Sequence, residues 1–280
     1  VVGYGVQKKS DVTGAMARVG SEELNTRPVN NAFEALQGKA AGVDITSSER
    51  PGTVGSIRIR GNRSISASSD PLYVVDGVPL ANISGEQPDD QYTGAGQSGD
   101  GLANFNADDI ESISVLSGSA AAALYGSAAA NGVVLITTKK GAVDKTRLTY
   151  SNNSTFYSPF RLPEFQNTYG SETGEWYSWA SKLSSPTDYE VKDFFQTGYN
   201  VANTVSLTTG TQKNQTYVSV GAVNARGIIQ NNDLDRYNFS VRNTTSMLND
   251  KLTMDLSFMY SNVKEQNMLS QGEYANPLVP

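Results

Sequence analysis

Leu252-Thr253-Met254-Asp255-Leu256-Ser257-Phe258-Met259-Tyr260 sets an apolar side chain at every second position, with Thr253, Asp255 and Ser257 between them. Successive side chains of a strand point to opposite faces, so this stretch has one oily face and one wet face. The same period recurs toward the N-terminus. Tyr237, Phe239 and Val241 alternate with Asn238, Ser240 and Arg242; Val218, Val220 and Ala222 alternate with Tyr217, Ser219 and Gly221; Val205, Leu207 and Thr209 alternate with Ser206 and Thr208. Arg147 to Tyr157 is an earlier and weaker run of this kind. Each run is about 8–12 residues long, close to the ~9–11 that a tilted transmembrane strand needs.

The connections between the runs differ in length. Phe160–Asn200 is long, Gly210–Asn214 short, Asn224–Asp235 intermediate and Asn249-Asp250 tight. Short turns at one end and long loops at the other mark an outer-membrane β-barrel, with the long loops outside the cell and the short turns in the periplasm. Five strands cannot close a barrel, and an open edge is not tolerated in lipid. The chain is therefore expected to continue past Pro280. Val1 is no initiator and no leader sequence follows it, which reads as an internal fragment of a mature protein.

Composition narrows the function. The 280 residues are 38% hydrophobic, and no stretch approaches the ~20 apolar residues of a membrane-spanning helix. A net charge of −6 and a pI near 4.8 argue against nucleic acid as a partner, because a basic face supplies most of that affinity. With no Cys and no His, thiolate chemistry, disulfides, imidazole metal sites and the usual general base are all excluded. No cofactor is implied.

The inventory breaks near residue 145. Residues 1–145 hold four Tyr, two Phe and no Trp, against ten Tyr, seven Phe and two Trp in 146–280, while 19 of the 26 Gly lie before the break. Two domains are expected, 1–145 and 146–280, joined at Lys139-Lys140-Gly141 to Lys145. The first reads as a small α+β unit. Asn31 and Glu34 form a capping box for a short helix bearing Phe33, Leu36 and Ala40, with Gly42 as its C′ residue. Ser56–Arg60, Leu72–Val75, Ile110–Leu116 and Val133–Thr138 read as strands, Ser119–Tyr125 as an Ala-rich helical turn, and Ala81–Gly101 as a long polar loop.

Six blocks then appear in order. They are Val1-Val2-Gly3-Tyr4-Gly5 with Gln7-Lys8-Lys9; Ala35 to Val43; Pro51-Gly52 leading to Ile57-Arg58-Ile59-Arg60-Gly61; Pro71 to Pro79; Asp109 to Ile113; and Leu124 to Gly126 with Ala130 to Val133, closing on Ile136 to Gly141. In this order they resemble the SusC/RagA family of TonB-dependent transporters. Phe194-Phe195-Gln196-Thr197-Gly198 and Gly227-Ile228-Ile229 before Arg236-Tyr237 resemble it more loosely. One departure is Ser117-Gly118-Ser119, which stands where the family usually has a Lys-Asp pair. The resemblance implies an α+β plug domain inside a transmembrane antiparallel β-barrel of about 22 strands, of which this chain holds only the first. It further implies outer-membrane lipid as surroundings, TonB as energy source, a SusD-like surface lipoprotein as lid, and glycan or peptide cargo. The host would be a Gram-negative, Bacteroidota-like bacterium.

Within that frame, Val1, Val2, Gly3, Tyr4 and Gly5 form a TonB-proximal segment that β-augmentation would recruit, although the box itself lies at or before Val1. Arg58 and Arg60, two apart on a strand, are candidates for a plug–barrel latch against carboxylates on the barrel wall; the plain alternative is a pair of solvated charges. Trp176, Tyr177 and Trp179, with Glu172 and Glu175, are candidates for substrate or lid contact in the first long loop. Asp89, Asp90 and Asp100 match no calcium loop, so no metal site is expected. Two other function classes compete. A glycoside hydrolase using Glu172 and Glu175 leaves the alternating strands unexplained. A non-importing receptor or a structural subunit of an outer-membrane assembly shares the architecture.

Overall fold

The computed structural model describes residues 16–24, 36–46, 56–61, 70–80, 105–116, 119–144, 146–162, 164–175, 178–186 and 190–266. Strand β1 (Met16–Gly20) runs into a single helical turn, α1 (Ser21–Leu24). β2 (Val43–Thr46) pairs antiparallel with β3 (Ser56–Ile59). β4 (Leu72–Val75), β5 (Val78–Pro79), β6 (Ile110–Leu116), helix α2 (Ser119–Tyr125) and β7 (Val133–Thr138) complete the first unit.

The first five-stranded sheet has the order β1-β6-β7-β4-β5. Only the β4–β7 pair is parallel, and β7 lies at the centre, buried on both faces. That burial explains why β7 opens on an unbroken apolar run, Val133 to Ile136, rather than an alternating one. Against one face pack Leu36, Ala40, Ile45, Ile57 and Ile59, closing over Ile113, Val134 and Ile136. Against the other, Ala121 and Ala129 pack on Leu116, Val133 and Leu135. Gly132 lies where the layers meet, at φ +101°, and a Cβ there would stand 2.7 Å from Ile59 Cδ1.

The chain then enters the second sheet: β8 (Arg147–Tyr157), β11 (Gly198–Gly210), β12 (Asn214–Arg226), β13 (Asp233–Met247) and β14 (Leu252–Gln266) form an all-antiparallel meander. A hairpin, β9 (Tyr169–Ser171) with β10 (Ser178–Lys182), occupies the long connection between β8 and β11. The five wall strands hold 11, 13, 13, 15 and 15 residues. They are longer than their alternating cores because polar residues such as Asp233 and Gln266 still pair beyond the apolar band. The intermediate connection is likewise shorter than expected, since β12 runs to Arg226 and β13 restarts at Asp233.

Two further differences concern the first unit. β1 and β2 carry no strand pattern of their own in the sequence; each is short and gains its place from its partner. The proposed helix start at Asn31 lies outside the described residues. What is described is a turn in which Ala40 N–H donates to Leu36 C=O, ending at Gly42 with φ +74°, the left-handed conformation expected of a C′ glycine.

Candidate functional site

Pairing registers arrange one face of β11–β14 into rows. From the short-turn end these are Thr208–Tyr217–Arg242–Ser257, Ser206–Ser219–Ser240–Met259, Thr204–Gly221–Asn238–Ser261, Ala202–Val223–Arg236–Val263 and Asn200–Ala225–Leu234–Glu265. On β13 this face is covered, with Leu234, Arg236, Asn238, Ser240 and Arg242 all buried. The opposite face shows Tyr237, Phe239, Val220, Leu256 and Phe258 exposed. The polar face therefore meets the first unit, and the apolar face points away from it.

The tightest polar contact in this seam begins with a turn. Val75 and Val78 pair directly across Asp76-Gly77, and both loop residues have positive φ, +48° and +89°. This is the Asp-Gly geometry of a type I′ hairpin. It turns the Asp76 carboxylate toward the end of β7, where Oδ1 accepts from Thr138 N–H at 3.1 Å and Oδ2 from Thr138 Oγ1 at 2.6 Å. Arg242 of β13 completes the site. Its Nη1 lies 2.9 Å from Asp76 Oδ1 and donates to Thr138 Oγ1 at 2.6 Å. Its other edge forks onto Asp255 of β14, Nε to Oδ1 at 2.9 Å and Nη2 to Oδ2 at 2.8 Å. Lys140, just past β7, donates to the same Asp255 Oδ2 at 2.9 Å. Two carboxylates and two cations thus share one hub, and the bidentate fork fixes its geometry as well as its charge.

Beside the hub, Asp109 is 4% exposed and accepts two hydroxyls from the wall, Tyr217 Oη in the row of Arg242 and Ser240 Oγ in the next, each at 2.8 Å. A 3-10 turn capped by Asn106 delivers it, and Asp109 C=O accepts from Lys139 N–H. Asn106 Nδ2 also reaches Thr204 Oγ1 at 3.2 Å, above Gly221, where a Cβ would come within 2.7 Å of that nitrogen. At the junction, a Cβ on Gly141 would overlap Thr216 N, Gln215 C and Thr209 O. The linker therefore lies flat on the β11–β12 turn. A cavity of about 240 Å³ remains between Leu80, Phe105 and Ile110 on one side and Asn238, Met259 and Ser261 on the other.

The sequence-predicted residues fall elsewhere. Val1, Val2, Gly3, Tyr4, Gly5, Trp176 and Tyr177 lie outside the described residues, as do Asp89, Asp90 and Asp100. Arg58 is half-buried on β3, but Arg60 lies past its end at φ +61°, so the alternation that would align the two stops at Ile59. Among the described residues neither meets a carboxylate. Two ion pairs cross the seam: Arg242–Asp76 has the opposite polarity, with the arginine on the wall and the carboxylate on the first unit, and Lys140–Asp255 has the expected polarity but uses a lysine. Glu172 and Glu175 are exposed and share one turn, Glu175 N–H donating to Glu172 C=O. Trp179 is 72% exposed at φ +86°, with its ring 5.7 Å from that of Tyr169. Gln196 and Gly227–Ile229, from two loosely matching blocks, do come together: Gln196 N–H donates to Ile228 C=O, and its side chain to Gly227 and Ile229 C=O. Among the described residues no group of three Asp or Glu could hold a metal.

Comparison with known proteins places this geometry. Residues 8–133 match the TonB-dependent Receptor Plug Domain. TonB-dependent receptor P26 of Formosa agariphila is 33% identical over 96% of this chain and 27% of its own length. TonB-dependent receptor SusC of Bacteroides thetaiotaomicron is 33% identical over 95% of this chain and 26% of its own. The chain thus spans about a quarter of the length of the curated relatives it matches. Among solved structures, the RagAB peptide importer in its open-open state superposes with a TM-score of 0.74 at 28% identity, over 95% of this chain and 32% of that one. The ferric citrate transporter FecA, at 16% identity and a TM-score of 0.58, shares the fold.

Proposed function

Because this chain belongs to the TonB-dependent receptors of the SusC/RagA type, a family of transporters and receptors rather than enzymes, we propose that its full-length protein imports large nutrients across the outer membrane. Residues 1–145 would form the plug and 146–280 the first stretch of barrel wall. TonB would supply the energy, a SusD-like lipoprotein the lid, and a Gram-negative, Bacteroidota-like cell the outer membrane. The cargo would be glycans or peptides too large for porins.

The observation that carries this reading is the polar seam. A plug that only sealed a pore could bond to its wall through apolar packing, whereas this one is held by the Asp76–Arg242–Asp255 hub and the Asp109 hydroxyl pair. Such contacts hold firmly at rest, and water can replace them one by one when the plug is pulled. Arg58 and Arg60 remain candidates for a second latch, the 1–5 segment for TonB contact, and the Trp176–Trp179 stretch with Glu172 and Glu175 for cargo or lid contact. The test is uptake of fluorescent oligosaccharides and peptides by cells carrying the full-length gene, with and without tonB. TonB-dependent accumulation is expected. Surface binding that is unchanged by loss of tonB, with no accumulation, would instead establish a non-importing receptor.

A further inference from the structure

Arg236 lies on β13, on the same wall face as Arg242 and six residues from it, yet its surroundings are unlike those of the latch. It is 7% exposed, its Nε has no hydrogen-bond partner, and among the described residues no carboxylate pairs with it. Its own row offers nothing polar, since Ala202 and Val223 stand on one side and Val263 on the other. Glu265, one row toward the long-loop end, stands opposite Leu234 and has a contact of its own. A guanidinium buried without a counter-charge is among the more destabilising arrangements in a folded protein. Residues held at such expense cluster where a ligand supplies the missing partner. The cavity between plug and wall lies one row away, lined by Asn238 and Ser261.

We propose that Arg236 is an anion-binding station in the plug–wall seam, taking a carboxylate or sulfate group through its planar fork, and that cargo bearing such a group engages it in transit. The transit role rests on the import reading; the anion site does not. Arg236→Gln should fold at least as well as the parent, because it removes a buried charge that no carboxylate among the described residues pairs, and Arg236→Lys keeps the charge but loses the fork.

The first arm measures thermal unfolding of the purified full-length protein in sodium sulfate and in sodium succinate, against sodium chloride at matched ionic strength. The parent should gain about 2 °C more than Arg236→Gln in either anion, with Arg236→Lys between them. Equal gains in parent and Arg236→Gln would overturn the site. The second arm measures uptake of peptides with free or amidated C-termini, and of uronate-bearing or neutral oligosaccharides. A preference for the acidic member of one pair that falls about fivefold in Arg236→Gln identifies the source of the anion. If cells import cargo but the acidic and neutral members of both pairs enter alike in parent and variant, the transit role is overturned. If no probe enters the parent cells while the first arm is positive, the import reading fails and the anion site stands.

Discussion

In the first sheet, β7 reads Val133-Val134-Leu135-Ile136 and all four side chains are buried; in the second, β13 buries Leu234, Arg236, Asn238, Ser240 and Arg242 and leaves Tyr237 and Phe239 facing outward. Both are central strands, but their solvents differ. The first has protein on both sides, so every position is apolar. The second is covered by the first unit on one face only, so its polar positions point in and its apolar ones point out, the pattern of a strand that in the proposed reading would face lipid. What joins the two units is therefore a polar interface enclosed by a wall whose outside is oily. In such a seam hydrophobic burial contributes little specificity, and hydrogen bonds and ion pairs decide where the plug docks.

The largest break of that comparison is Arg242→Leu. It leaves Asp76 and Asp255 facing each other without their shared cation, and removing one partner of a buried pair costs about 3–5 kcal/mol. The urea midpoint for release of the plug, followed by protease accessibility of the Lys139–Gly141 linker in the full-length protein, should fall accordingly. Arg236→Leu, on the same strand and face, should show no loss. Equal losses at both positions would mean that the two arginines stabilise the seam alike and that the hub is no special latch.

Leu256→Arg tests the outer face. Leu256 is 58% exposed and points away from the plug, so in lipid the substitution should cost about 2–4 kcal/mol near the bilayer midplane. Folding of the full-length protein into vesicles, read by heat-modifiable gel mobility, measures it. Ser257→Asn, one residue on and on the inner face, should be nearly silent. A reversed pair of results would mean the faces are assigned the wrong way round.

Asp109→Ala comes next. It strands the hydroxyls of Tyr217 and Ser240, whose acceptor it removes, and unsatisfied buried groups cost about 1–3 kcal/mol. The same urea assay should register it, and Asp109→Asn, which keeps an acceptor oxygen, should lose less than Ala.

These positions show what the sequence could and could not disclose. Period-two alternation announced the wall strands and placed Arg242 and Asp255 on the polar face, because the spacing of side chains along a strand is fixed by the backbone. Asp-Gly between Val75 and Val78 carried a hairpin signal as well. What no local pattern could carry was the docking register: which wall arginine meets which plug carboxylate depends on how two sheets, far apart in sequence, settle against each other. Arg58 and Arg60 are conspicuous as two charges spaced for one strand face, yet alternation ends at Ile59, because Arg60 takes a left-handed conformation. Asp109 was equally hidden. It sits in a block matched for its order, and nothing in Ala107-Asp108-Asp109 says which of two adjacent carboxylates is buried; the 3-10 turn capped by Asn106 decides that.

Lys140→Ala should have the smallest effect, and its smallness is informative. Lys140 touches the same Asp255 as Arg242, but the two side chains of the Lys140–Asp255 pair are 41% and 32% exposed, against 9% for Arg242. Water screens the lysine pair, and exposed pairs contribute about 0.2–1 kcal/mol. Moreover, Asp255 keeps its bidentate fork to Arg242 when the lysine is lost. A double-mutant cycle between Lys140→Ala and Arg242→Leu measures whether the two cations act as one unit. If Asp255 serves only to hold Arg242 in place, Lys140 should gain importance once Arg242 is gone, because it becomes the last cation on that carboxylate. A coupling within error of zero would show instead that the linker lysine merely lies beside the hub, and that the plug is held at this end by the type I′ turn and Arg242 alone.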